Sequence, residues 1–162
     1  MSLFRSICLF AMMALFTGCA AEGENPEAAL LAKAREAFLT GEFFTSEGLY
    51  QNYLQTYPEG AERLEAWNRL FDISRNILRD NDKASNIMEA MILDYSFDPQ
   101  VIPGIYERAA ELYASMKDYE RVVSIWNEYL DLPGLPPESV MRAMFEKSRA
   151  LAHIGRGEEA IR

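Results

Sequence analysis

A period of 38 residues constrains this chain more than any other feature. Glu42, Asp80, Asp118 and Arg156 each stand in a turn-like stretch and follow one another at that spacing. The register persists beyond the turns. Four positions on, Ser46, Ala84, Val122 and Ala160 are all compact, and apolar columns follow at Leu49/Ile87/Ile125, Tyr50/Met88/Trp126, Tyr53/Met91/Tyr129 and Leu54/Ile92/Leu130. A unit of this size cannot bury its own apolar face and is stabilised by stacking on its copies.

Within each unit the columns have the spacing of one helical face. A second stripe precedes each turn. It runs through Leu30, Leu31, Ala34 and Phe38 in the first unit and Trp67, Leu70, Phe71, Ser74, Ile77 and Leu78 in the second. In the third it runs through Ile105, Tyr106, Ala109, Leu112, Tyr113 and Met116, and in the fourth through Val140, Met141, Met144, Phe145 and Leu151. The second stripe is displaced by one residue, which predicts a turn one residue longer there. All seven prolines, Pro26, Pro58, Pro99, Pro103, Pro133, Pro136 and Pro137, fall between the stripes. Proline inside a helix costs about 3 kcal/mol, so they mark boundaries. Val and Thr together number eight, too few for a sheet-dominated fold. The predicted fold is all-α, a stack of antiparallel helix hairpins.

The front of the chain is an address. After Arg5 come ten apolar residues, Ile7 to Phe16. That run is short for a membrane span, which takes roughly 20 residues, and suits the apolar region of a signal peptide. Leu15-Phe16-Thr17-Gly18-Cys19 resembles the bacterial lipobox, with Phe16 standing where an aliphatic is usual. The resemblance implies a signal peptide over 1–18, a lipidated Cys19 with an added acyl chain, and a flexible tether over 19–25. Two or more chains make membrane attachment stable. Ala20, rather than Asp, follows the cysteine, which implies the periplasmic face of the outer membrane. Cys19 is then the only cysteine of the processed chain, so no internal disulfide supports the fold.

The repeat resembles the tetratricopeptide family. The residues that carry the resemblance are the small ones at Ala34, Ala110 and Ser148 in the first helices and at Ser46, Ala84, Val122 and Ala160 in the second. To these are added Tyr50, Met88 and Trp126, the unit-closing Tyr57-Pro58-Glu59-Gly60, and Gly155-Arg156-Gly157-Glu158-Glu159-Ala160-Ile161. The period exceeds the family's usual 34. The resemblance covers residues 26–162 and implies a right-handed α-solenoid of about three and a half units. The last hairpin lacks most of its second helix. The expectation is a fragment of a longer protein whose final helix shows an uncovered apolar side; the alternative is that 137–155 cap the stack.

No catalytic constellation stands out. His153 is the only histidine, so no transition-metal set forms around it. Gly155-x-Gly157 lacks the third glycine and the preceding strand of a phosphate-binding loop. No enzyme activity and no cofactor are expected. The net charge of −9 opposes nucleic acid as a partner. By resemblance, the groove lined by the first helices is the candidate binding surface, with Glu65, Asn68, Asp72, Arg75 and Asn76 from the second unit and Glu107, Glu111 and Ser115 from the third. Arg35, Phe38 and Leu39 of the first unit adjoin them. This mostly acidic set suits a basic or mixed-charge peptide segment. The leading expectation is a lipid-anchored scaffold that binds protein in the cell envelope, with outer-membrane protein assembly or secretion as the nearest analogy. The competing expectations are the front module of a larger peptidoglycan-related enzyme and a glycan-binding module.

Overall fold

In a computed structural model of the protein, residues 25–158 are described. Seven α-helices follow one another: α1 (Pro26–Leu39), α2 (Phe43–Thr56), α3 (Arg63–Asp72), α4 (Asn81–Asp94), α5 (Ile102–Ser115), α6 (Tyr119–Leu130) and α7 (Pro137–His153). Each packs on the next along the chain. The result is three helical hairpins and the first helix of a fourth, with no strand among the described residues. The expected segment 1–18 and Cys19 lie outside the described residues. Asn25, assigned to the tether in the sequence analysis, belongs to the fold, because its side chain accepts a hydrogen bond from the Glu27 amide and caps α1. Pro103, expected between helices, is instead in the first turn of α5, where its missing N–H is no loss.

The tight turns repeat with the period. Gly41, Arg79, Lys117 and Gly155, each 38 residues apart, all have positive φ, from 56° to 81°. In three of them the amide three residues past the helix bonds back across the turn: Glu42 N to Ala37 O, Asp118 N to Tyr113 O and Arg156 N to Leu151 O. This left-handed residue closes the helix by satisfying its last carbonyls. Asp80 and Asp118 then cap the next helix, accepting from Lys83 N and Arg121 N.

The second turn is therefore no longer than the others, contrary to expectation. The extra residue sits inside the helix. α3 runs on as a π-helical segment, Ile73–Ile77, in which Leu78 N reaches Ile73 O at 2.9 Å and Asp80 N reaches Ser74 O at 2.9 Å. A π-bulge absorbs one residue without breaking the helix. It lets Ala66 and Leu70 stay buried ahead of the bulge, and Ile73 at its start, while the turn keeps its place in the period.

The compact column is a buried seam. Ala34, Ser46 and Ala84 are fully buried and Ala110 and Val122 nearly so. The Ser46 hydroxyl donates to the Ala34 carbonyl at 2.9 Å, which brings the two backbones of the first hairpin together. Tyr50, Met88, Met91 and Tyr129 fill the space beyond, all buried. The fourth unit differs. Ser148 is only half-buried and donates to its own helix at Met144 O. Met141, Met144 and Phe145 are exposed, while Ala143, Ala150 and Leu151 carry the packing. Those three exposed apolar side chains of α7 lie open among the described residues.

Candidate functional site

The first helices of neighbouring units meet through long side chains. Arg35 on α1 makes a two-pronged contact with Glu65 on α3, Nε to Oε1 at 2.7 Å and Nη2 to Oε2. Arg108 on α5 reaches back to Asn68 Oδ1. Arg75, in the π segment, donates to Ser115 Oγ on α5 at 2.6 Å and to Asn81 at 2.7 Å. Arg142 on α7 reaches Glu107 on α5, which also accepts from the Tyr129 hydroxyl at 3.1 Å. The hydrogen bond from Arg35 holds Glu65 below the usual carboxylate range and raises Arg35 in turn. Five of the eight expected groove residues, Glu65, Asn68, Arg75, Glu107 and Ser115, are thus tied within the solenoid.

The others remain more open. Asp72 lies 3.9 Å from Arg69 on its own helix. Asn76 is exposed, and its side chain makes no hydrogen bond among the described residues. Glu111 is exposed and has neither ion pair nor hydrogen bond among the described residues. Of the first-unit neighbours, Phe38 lies under the Arg69 guanidinium at 4.7 Å, and Leu39 points to solvent.

Two clefts gather these residues. One, between Glu65, Asn68, Asp72 and Arg108, is wide and of mixed charge. The other, of about 260 Å³, lies between α5 and α7. Its floor is Ala110, Ala114, Val122 and Trp126, and its rim is Glu107, Glu111, Arg142 and Glu146. Trp126, Arg142 and Glu146 were not expected here. The column position of Trp126 marked it only as core, and no periodic signal places Arg142 opposite Glu107.

The second helices are tied laterally as well. Lys83 Nζ contacts Glu47 on α2, and Arg121 Nη2 contacts Glu89 on α4, both at 2.6 Å. Lys83 and Arg121 are 38 residues apart, whereas Glu47 and Glu89 are 42 apart, so the cations follow the period and their carboxylates do not. His153 stacks on Tyr119, with ring centres 4.1 Å apart. Among the described residues no group of three or more His, Cys, Asp or Glu could hold a metal ion, and no helix is long and apolar enough to cross a membrane.

No family model matches the sequence, and no curated protein matches it either. Solved structures do. The crystal structure of BtubC (BKLC) from P. vanneervenii aligns with a TM-score of 0.56 and 16% identity, covering 83% of this chain and 58% of that one. The crystal structure of MamA protein aligns with a TM-score of 0.45 and 14% identity, covering 83% and 86%. The fold is that of a tetratricopeptide-like helical stack. The chain spans little more than half the length of BtubC.

Proposed function

We propose that this protein is a lipid-anchored scaffold of the cell envelope that holds a basic or mixed-charge segment of a partner protein in its concave groove. The observation that carries the reading is the cleft between α5 and α7. It combines an apolar floor at Val122 and Trp126 with carboxylates at Glu111 and Glu146 on the rim. Such a floor shelters the stem of a lysine or arginine while a carboxylate meets its head. Glu107, already held by Arg142 and Tyr129, orders the rim, and Glu111 is the carboxylate left to a partner. The attachment through Cys19, and the outer membrane as its place, rest on the lipobox resemblance. The role is one of binding, without catalysis or cofactor.

Affinity purification from detergent-solubilised envelope tests this reading. The expected result is recovery of one envelope protein, lost on raising the salt and with Glu111→Lys. Equal recovery by Glu111→Lys overturns the groove assignment. Membrane fractionation of Cys19→Ser tests the anchor separately, and a variant that stays in the membrane fraction overturns it.

A further inference from the structure

The start of α1 and the loops that join one hairpin to the next lie on one edge of the stack. The Tyr53 hydroxyl binds Glu27 of α1 at 2.7 Å and the Glu62 amide of the first loop. Arg63 and Trp67, early in α3, each donate to Asp94 at the end of α4 at 2.6 Å. A cleft of about 250 Å³ then joins the second loop to the third, lined chiefly by Phe97, Pro99, Ile102, Pro103, Leu132 and Pro133. The tight turns lie on the other edge. The 14-residue helices α1 and α2 separate the two edges by about 21 Å.

The loop edge is apolar where it projects. Phe97 is 98% exposed beside the cleft, and Leu93, in the last turn of α4, is 77% exposed. The carboxylates next to Phe97 are already supplied with donors. Asp94 has Arg63 and Trp67, and Asp98 accepts from the amides of Gln100 and Val101 at 2.9 and 3.2 Å. They keep these partners when water leaves the edge. Glu59 and Asp131 stand exposed on the same edge, and the chain carries a net charge of −9. That charge opposes an anionic lipid surface and leaves a neutral one.

The length of chain ahead of α1 decides which edge meets the membrane. Asn25, the cap of α1, lies six residues after Cys19. At about 3.6 Å per residue that segment reaches about 22 Å at full stretch. Leu39 and Phe44 are also exposed, on the edge of the tight turns. Bringing that edge to the membrane would lift the start of α1 by a helix length and consume nearly all of the reach. With the loop edge down, the tether stays slack.

We propose that the loop edge rests on the lipid surface, with Phe97 and Leu93 entering between the headgroups of neutral phospholipid. The proposal rests on the Cys19 anchor of the proposed function. The tight turns then point away from the membrane.

The test uses the full chain, lipidated at Cys19 and reconstituted in vesicles of phosphatidylcholine and phosphatidylethanolamine. Leu93→Cys and Phe44→Cys each supply a single thiol for an NBD label, since Cys8 leaves with the signal peptide and Cys19 is acylated. The two positions match in exposure, 77% and 76%, and lie on opposite edges. The label at 93 is expected to shift to the blue and to be quenched by doxyl-labelled acyl chains, and the label at 44 to do neither. Phe97→Asp should abolish the quenching at 93 with the melting temperature unchanged, because that ring is almost wholly exposed. Vesicles of phosphatidylglycerol should quench less. A label at 93 that stays in water, equal quenching at 44, quenching that survives Phe97→Asp, or equal quenching in phosphatidylglycerol overturns the proposal. So does a blue shift at 93 without lipid quenching, since protein then covers the edge. Mass spectrometry of the same preparation reads the anchor separately. A lipidated chain with its label in water sinks the edge assignment alone, whereas a Cys19 without lipid overturns the anchor and this proposal with it.

Discussion

The hydroxyl of Tyr53 stands 2.5 Å from the position that a Cβ on Gly60 would occupy. That hydroxyl donates to Glu27 Oε1 at 2.7 Å and accepts from the Glu62 amide at 3.2 Å, so it ties the start of α1 to the loop that leads into α3. Gly60 is glycine for room, not for backbone conformation, and the Tyr-Pro-x-Gly sequence acquires a physical reason. Gly60→Ala is expected to destabilise the protein by about 1–3 kcal/mol through overpacking and displacement of this bond. In a Tyr53→Phe background the same change should cost less, because the nearest crowding atom is gone, although Glu27 Oε1 at 2.7 Å remains. Urea denaturation of the four proteins of the cycle measures the coupling. Strict additivity would refute the account.

Protonation should loosen the stack at its first junction. Glu65 is held below its ordinary pKa of 4.5, chiefly by the hydrogen bond from Arg35. A carboxylate depressed on folding contributes stability above its unfolded pKa and loses it as pH falls through the folded value. Stability is therefore expected to decline below pH 4.5, and Glu65→Gln should start lower and decline less. The phenol of Tyr53 gives the opposite sign. Burial, with the bond to Glu27, pushes it up to about 12. Its contribution is complete below the ordinary value of 10 and disappears as pH rises toward 12. Tyr53→Phe should lack that alkaline step. Chemical denaturation from pH 3 to 11 checks both.

The π segment makes a deletion tolerable at one place only. Removing the exposed Asn76 restores ordinary helical hydrogen bonding and leaves the same number of residues between Ile73 and its turn as the third unit has between Leu112 and its turn. The deletion variant is expected to keep its helical circular dichroism and a single cooperative transition. Deleting Glu111 from α5, which has no residue to spare, rotates half of that helix by about 100° and should abolish the cooperative transition. A protein that unfolds on loss of Asn76 would contradict this reading of the bulge.

At the seam, Ala84 is fully buried. Ala84→Trp is expected to cost at least about 1–3 kcal/mol by overpacking, whereas Ala84→Gly should cost about 1 kcal/mol, mainly from helix propensity. An unchanged melting temperature in the tryptophan variant would refute the close contact.

The groove was legible in outline and not in detail. Helical spacing puts Glu65, Asn68 and Asp72 on one face of α3, and they do share a cleft. What spacing could not show is that Arg35, Arg108 and Arg142 would hold Glu65, Asn68 and Glu107 from neighbouring helices. Those partners are 30, 40 and 35 residues away. No single repeat distance relates them, because the side chains are long enough to reach several positions. In the Lys83 and Arg121 links only the cations keep the 38-residue period; their carboxylates, Glu47 and Glu89, do not.

The sequence by itself determined the helices, their pairing into hairpins and the seam. These follow from short-range spacing and from a column repeated often enough to stand above chance. Only the tertiary structure decided where the surplus residue of the second unit went and which charges stay free for a partner. A pattern of apolar residues records which face is buried. It does not record whether an extra residue loosens a turn or widens a helix, because both leave the next turn at the same place in the period. Nor does it record which of many surface charges lie within reach, because that depends on how far apart the stacked helices stand.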